Sequence, residues 1–213
     1  VIVAGGDDNY KQGEDVTIEI TFSEAVNVTN TPTLALNTNA TASYASGHGT
    51  ATLTFTYSVG AGQNTSDLDY AATTSLSGTI KDLYGNDANL TLAAVGQSGS
   101  ISDNDDVVID TTAPTLSTVS IASDNSTNTL AMAGDTVTLI FTASEAIGTP
   151  TVTFESGDAN IANNVTVSDL GDSNATTWNA SYAVAANDTD GSVGFTINFA
   201  DTATNSGLSL IHI

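Results

Sequence analysis

The chain carries one 14-residue pattern twice, and this internal repeat restricts the possible folds more than any other feature. The segment GEDVTIEITFSEAV covers residues 13–26, and GDTVTLIFTASEAI covers residues 134–147. In both copies apolar residues alternate with polar ones, which is the period of a β-strand with one buried face. Each copy is followed by a Thr-Pro-Thr triplet and later by a D-x-x-x-N pattern, at residues 82–86 and 201–205. The repeat predicts two copies of one β module.

Alternation also marks the other candidate strands, and threonine fills many of their polar positions. The apolar sets are Leu53, Phe55, Tyr57 and Val59; Trp178, Ala180, Tyr182 and Val184; and Phe195, Ile197 and Phe199. No window of useful length shows a helical period. This pattern predicts an all-β chain of β-sandwich type. Trp178 is in phase with a core set, so we expect it to be buried rather than to offer a surface for sugar stacking.

The stretch VVIDTTAPTL separates the two copies. With 213 residues, the chain is long enough for two modules of about 100 residues, each with its own core. We predict a first module over residues 1–109, a joint over 110–114 and a second module over 115–213. Pro114 restricts the backbone of the joint. The last residues, 209–213, depart from the pattern. They are interpreted either as a genuine strand or as non-native residues of the kind that arise from translated sequencing-adapter DNA.

Charge and cysteine content restrict the partners and the environment. The chain has 24 acidic residues, two basic ones and no cysteine, for a formal net charge of -22. Such a surface repels nucleic acids and anionic membranes, and no apolar run is long enough for direct membrane insertion. Without disulfides, stability must come from core burial or bound ions. Saline medium and divalent cations both relieve the repulsion, which favours an extracellular location. The abrupt start in VIVAGG is typical of a fragment, so the missing signal peptide decides nothing.

Several motifs together carry a family resemblance. They are G-x-x-V-x-I-x-I-x-F-S-E-x-V, T-P-T-L-x-L, Y-x-S-G-x-G-T-x-T-L-x-F-x-Y-x-V, D-x-x-G-N and I-D-T-T-A-P. The chain resembles the bacterial immunoglobulin-like repeats of large calcium-dependent surface adhesins. The resemblance implies two tandem immunoglobulin-like β-sandwich domains at a cell surface, with a spacer or adhesive role. The second module replaces the SGHGT turn with a longer, asparagine-rich passage, which leaves its middle strands less well defined.

Calcium is the cofactor that the sequence favours, because hard cations bind several carboxylate oxygens. Asp110 lies in the joint, and Asp103, Asp105 and Asp106 lie just before it. Glu145 follows a strand that we expect to end near the same pole. Glu24 holds the matching position in the first module and is expected to face a joint upstream. The alternative is that SDNDD is a solvated loop and that Asp110 only caps a turn.

The two D-x-x-x-N segments are predicted to form matching turns, with Gly85 at a positive φ and Asn86 as a side-chain cap. A second calcium loop is the alternative. Catalysis has little support, since His48 lies between two glycines in a tight turn, which does not orient it for nucleophilic chemistry. The chain is therefore predicted not to be an enzyme.

The leading hypothesis is a pair of spacer or adhesive modules whose partners are the neighbouring repeats of the same chain and, in the adhesive case, a surface ligand. One alternative is a subunit of an extracellular filament or surface layer in which identical subunits exchange strands. Another is an accessory binding domain of a secreted hydrolase, which would require an exposed aromatic row that the sequence does not show.

Overall fold

The computed structural model describes residues 1–161, 164–171 and 173–212, with backbone only for residues 208–212. The chain divides into two compact units, Val1–Thr112 and Ala113–Ile213, here called unit 1 and unit 2. The division falls within the predicted joint, residues 110–114. Nearly all regular structure is β, which confirms the all-β prediction.

Unit 1 is described throughout and contains seven strands and one short helix. Their bounds are β1 Ile2–Val3, β2 Asp8–Tyr10, β3 Asp15–Ala35, β4 Thr41–Ser46, β5 Thr50–Ser58, β6 Leu76–Asp82, α1 Ile101–Asn104 and β7 Val107–Ile109. The long strand β3 has two kinds of partner. Its first part, residues 15–21, pairs with β5 and β1, and its second part pairs with β6 and β4. A register shift between Thr21 and Val26 marks where β3 leaves β5, and a second shift, between Thr29 and Thr33, lies within its pairing with β6. Separately, β2 and β7 form a short parallel pair.

The core of unit 1 follows the alternation seen in the sequence. Val16, Ile18 and Ile20 of β3 are buried, whereas Phe22 is only partly buried at the point where β3 leaves β5. On β5 the buried set is Leu53, Phe55 and Tyr57. Each large apolar side chain that is fully buried contributes about 1.5–3 kcal/mol to folding. The alternating apolar residues therefore form the buried face of each strand, and their burial stabilises the unit.

The segment SDNDD differs from the solvated loop that was the alternative interpretation, because its first three residues belong to helix α1. The Ser100 hydroxyl accepts a hydrogen bond from Asp103 N at 3.3 Å, which caps the helix, and Ile101 is buried in the core. One turn is too short to show a helical period, so the sequence pattern did not reveal it. Among the described residues, no helix is long and apolar enough to cross a membrane.

Unit 2 contains eight strands among its described residues. They are β8 Leu116–Ser123, β9 Thr136–Ala143, β10 Thr151–Ser156, β11 Ala159–Asn160, β12 Thr166–Asp169, β13 Thr177–Ala183, β14 Val193–Ala200 and β15 Ser206–His212. They form two four-stranded antiparallel sheets, in the orders β12-β13-β9-β8 and β11-β10-β14-β15. The tail residues 209–212 lie in β15 and pair with β14, while residue 213 lies outside the described residues.

The core of unit 2 draws on both sheets. Phe154 of β10 and Tyr182 of β13 place their ring centroids 4.8 Å apart, so these rings join the two sheets. Trp178 is only 6% exposed, and its indole Nε1 donates a hydrogen bond to Ala175 O at 3.0 Å. This confirms Trp178 as a core residue, since a buried indole needs a partner for its N–H group.

Candidate metal centre

The D-x-x-x-N segments form the same turn in both units. Asp82 N donates to Asn86 O at 2.9 Å, and Asn86 returns two bonds, from its backbone N to Asp82 Oδ1 at 2.9 Å and from Nδ2 to Oδ2 at 2.6 Å. In unit 2 the corresponding bonds between Asp201 and Asn205 measure 3.2, 2.9 and 2.9 Å. Gly85 has the predicted positive φ of 94°. The prediction of matching turns is therefore confirmed.

In unit 1 these hydrogen bonds favour the ionised form of Asp82. The Asn86 side chain, followed by the Asn86 backbone N–H, lowers the pKa of Asp82 below its usual value of 3.8. Hydrogen bonds to a carboxylate favour its charged state, and they outweigh the opposing effect of burial on the pKa of Asp82. The turn therefore presents a carboxylate that remains negative at any pH near neutrality.

In unit 2 this turn lies beside a second carboxylate. After β9 the chain continues through residues 144–147, where Ile147 is buried and forms an isolated bridge with Asp201. Gly148 N then donates to Ala200 O at 2.9 Å. This path brings Glu145 to Asp201, and a carboxylate oxygen of one lies within 4.8 Å of a carboxylate oxygen of the other. Two oxygens at this spacing can ligate one hard cation between them.

Asp201 is a candidate ligand that the sequence analysis did not select among its metal-binding acids. It was predicted as a turn residue, with a calcium loop only as the alternative. In the structure Asp201 forms the turn, and it also approaches Glu145; the residue is 5% exposed. The signal was present as the repeated D-x-x-x-N spacing. What the spacing could not show is that the loop after β9 passes next to it.

Asp110 is the first residue after β7 in unit 1. Its backbone N donates to Tyr10 O at 2.9 Å, and its Oδ1 accepts a hydrogen bond from Thr112 N at 2.9 Å. The second bond matches the interpretation of Asp110 as a turn cap. A carboxylate has two oxygens and about four acceptor positions, so capping a turn and binding a cation are compatible roles.

The acids of SDNDD are not brought to Asp110, which corrects the expectation that they converge. Strand β7 separates Asp106 from Asp110, and an extended strand of this length holds their Cα atoms roughly 13 Å apart. Asp105 Oδ2 instead accepts a bond from Val3 N at 2.7 Å, and Asp103 Oδ2 accepts one from Gly99 N at 3.3 Å. Since calcium holds its oxygens at about 2.3–2.6 Å, one ion cannot bind both groups.

Glu24, the unit 1 counterpart of Glu145, is exposed and lies near the matching turn. It lines a cleft of about 510 Å³ together with Asp82 and Asn86. Unit 1 therefore repeats the arrangement of a glutamate beside a D-x-x-x-N turn. Within the described chain, Glu24 is not part of any group of three acids close enough to share a cation.

His48 supports the backbone of its turn. Its Nδ1 accepts a hydrogen bond from Val28 N at 3.1 Å, and its own backbone N donates to the Tyr44 hydroxyl at 2.9 Å. The imidazole is exposed and linked to a neighbouring strand. These contacts give His48 a structural role in the turn between β4 and β5.

Compared with known proteins, the chain matches no family model and no curated protein sequence. The resemblance to bacterial immunoglobulin-like repeats therefore rests on the motifs of the sequence.

Proposed function

We propose that the chain is a pair of immunoglobulin-like modules from a long extracellular surface protein, with a non-enzymatic spacer or adhesive role. The strand order of unit 2 supports the fold assignment. Named A to G in chain order, with β11 as C′, its sheets have the orders A-B-E-D and C′-C-F-G. These are the orders of immunoglobulin sandwiches.

The observation that carries the proposal is that the repeat is kept at the level of single hydrogen bonds. The Asp82–Asn86 and Asp201–Asn205 turns share three bonds with the same donors and acceptors, although the residues between them differ. A chain that repeats a rigid sandwich gains length in fixed steps. Length and stiffness are what a spacer needs to present another domain away from a surface.

We further propose calcium as the cofactor, with Asp110 joining Glu145 and Asp201. Thr115 N donates to Ser144 Oγ at 3.0 Å, and Ser144 N donates to Thr115 O at 2.8 Å, so Thr115 is fixed beside the residue that precedes Glu145. Only residues 111–114 separate Asp110 from Thr115. Since a residue spans at most about 3.6 Å, connectivity alone keeps Asp110 within roughly 20 Å of this loop. A cation would draw the three carboxylates together and stiffen residues 111–114.

Small-angle X-ray scattering on the full chain tests the spacer role. We expect a monomer whose maximum dimension and stiffness increase when millimolar calcium replaces a chelator, because a bound ion would restrict residues 111–114. Magnesium at the same concentration is the control, since it binds such flexible all-protein sites poorly. A scattering profile that calcium leaves unchanged would contradict the calcium part of the proposal.

The second candidate function, a subunit of a filament or surface layer, differs in its oligomeric state. Unit 2 has β8 and β15 at the ends of its sheets, and edge strands are where another chain adds by strand pairing. Analytical ultracentrifugation over a hundredfold range of concentration separates the two. A constant monomer mass supports the spacer, and a mass that increases with concentration supports the subunit.

A further inference from the structure

Unit 2 has an open groove at the pole where β8 ends and β14 begins. The groove has a volume of about 720 Å³ and lies between residues 128–133 and residues 185–193. Its apolar floor consists of Ile121, Val137, Tyr182 and Val184. Leu130 and Met132, on one wall, are 64% and 61% exposed. Exposed aliphatic side chains around an apolar floor indicate a surface that is built to be covered.

Unit 1 has an equivalent space, and backbone hydrogen bonds show which of its residues correspond to the first wall of the groove, residues 128–133 of unit 2. In unit 1, Gly13 N donates to Val59 O at 2.9 Å; in unit 2, Gly134 N donates to Val184 O at the same distance. In each unit the donor glycine lies directly after the segment that forms the first wall. Counting back from these glycines, β2 of unit 1 corresponds to residues 129–131 of unit 2.

A second pair of bonds identifies the other wall. In unit 1, Gly60 N donates to Gln63 Oε1 at 2.7 Å; in unit 2, Ala185 N donates to Asp188 Oδ2 at 2.8 Å. Both bonds close the turn that leads into this wall. Residues 65–68 of unit 1 therefore correspond to residues 190–193 of unit 2, which line the groove.

In unit 1, strand β7 fills this space. It runs parallel to β2, and Thr65 N donates to Ile109 O at 2.9 Å on the opposite side. Leu68 N also donates to Val107 O at 2.8 Å. Val107 and Ile109 are 0% and 1% exposed. The strand thus bonds to both walls and covers the floor with two aliphatic side chains.

In the described part of unit 2, no strand lies between the corresponding walls. Without such a strand, two residues of the groove floor are more exposed than the corresponding residues of unit 1. Val3 pairs with Ile18 of β3 as Ile121 pairs with Leu139 of β9, so these two residues correspond, as do Val59 and Val184. Ile121 and Val184 are only partly buried, whereas Val3 and Val59 are 2% and 3% exposed. The groove is therefore the slot of a strand that unit 1 contains and the described unit 2 does not.

We propose that this groove binds an extended aliphatic peptide strand of the β7 type. The strand runs parallel to residues 129–131 and antiparallel to residues 190–193, as β7 does with the matching walls of unit 1. Its first and third residues carry branched aliphatic side chains into the floor, and its backbone bonds to both walls, which is recognition by β-strand addition. The inference rests on the comparison of the two units and is independent of the calcium proposal.

The probe is a synthetic peptide with the sequence of residues 106–112, DVVIDTT, added to the isotopically labelled full chain. We expect saturable shifts of the amide signals of residues 129–131 and 190–192. Residues 8–10 and 65–67 serve as an internal control, because β7 already occupies their groove. The matched control peptide replaces both buried side chains, Val107→Ser and Ile109→Ser. It should bind about 100-fold more weakly, since two aliphatic side chains lose their burial.

A pair of variants of the full chain tests the location. Leu130→Glu places a charge on the groove wall and should weaken peptide binding at least about threefold. Leu83→Glu, which changes an exposed leucine of unit 1, should leave it unchanged. Absent binding at millimolar peptide, or equal binding of both peptides, would overturn the proposal. So would self-association through residues 129–131 without peptide, because that result would assign the groove to a second copy of the chain.

Discussion

Asn205 binds Asp201 through both its backbone N and its side-chain Nδ2, each at 2.9 Å, and so closes the turn that leads from β14 into β15. The aspartate of this pair is also the one whose carboxylate approaches Glu145. The Asp201 carboxylate therefore stabilises the turn through two hydrogen bonds and also lies close to the negative carboxylate of Glu145.

We expect Asn205→Ala to destabilise unit 2 by about 1–2 kcal/mol, because it leaves a nearly buried carboxylate without one of its donors. Asn86→Ala in unit 1 is the matched control and should cost less, since Asp82 and Asn86 are more exposed and water can replace the lost donor. Urea denaturation of both variants, followed by tryptophan fluorescence for unit 2 and by amide exchange for unit 1, measures the difference. Equal costs in the two units would contradict the role of burial.

Acid should weaken the turns held by ionised aspartates. The Asn125 side chain, and then Met132 N, hydrogen-bond to Asp135 and lower its pKa below 3.8. A carboxylate with a lowered pKa in the folded state contributes stability that is present above pH 3.8 and is lost as the pH falls through the lower folded value. Asp135→Asn should therefore lower the melting temperature at pH 7 and have little effect near pH 2. A loss of the same size at both pH values would show that ionisation is not the cause.

Ionisation of Asp67 should destabilise the fold, in contrast to ionisation of Asp135. Burial raises its pKa above 3.8, and the nearby charges of Asp106 and Asp69 raise it further. Its Oδ1 is buried and has no hydrogen-bond partner among the residues that the structure describes. A raised folded pKa means that the ionised form is disfavoured in the fold, so this group costs stability above its folded pKa and ceases to do so below 3.8.

Asp67→Asn should therefore stabilise unit 1 at pH 7 by about 0.3 kcal/mol, a small value because water screens a partly exposed group. The gain should vanish near pH 3, where both variants are neutral at this position. Thermal melts at the two pH values measure it. Asp87→Asn is a control that removes an exposed acid paired with Lys81, so it should not stabilise the unit. A loss of stability for Asp67→Asn at neutral pH would show that the ionised carboxylate of Asp67 does not destabilise unit 1.

Much of the fold could be predicted because strand alternation is a local property. The buried faces of β3, β5, β9 and β13 follow directly from it, and Trp178 was placed in the core by its phase alone. The parallel pair of β2 and β7 could not be predicted in this way. Each strand has three residues, which is too short to show a period, and the partners lie at opposite ends of unit 1.

The candidate metal centre was partly predictable for a similar reason. The sequence predicts Glu145 as a candidate ligand because it follows a repeated strand, and it predicts the turn of Asp201 because the D-x-x-x-N spacing repeats. Their proximity depends on the route of residues 144–147 past the end of β14, which is a tertiary property. The acids before β7 are close to Asp110 along the sequence, but the length of that extended strand separates them in space.

Calcium should stabilise unit 2 through Glu145. At a calcium concentration about 100 times the dissociation constant, a site present only in the folded state adds about 2.7 kcal/mol, and extracellular sites of this kind have dissociation constants of roughly 10⁻⁴ to 10⁻³ M. The melting temperature of the wild-type chain should thus increase between a chelator and about 10 mM calcium. Glu145→Gln should lose most of the increase, because the amide removes one negative ligand. Glu155→Gln, which makes the same change on β10, should keep it. If both variants respond to calcium like the wild type, the ion binds elsewhere and Glu145 is not a ligand.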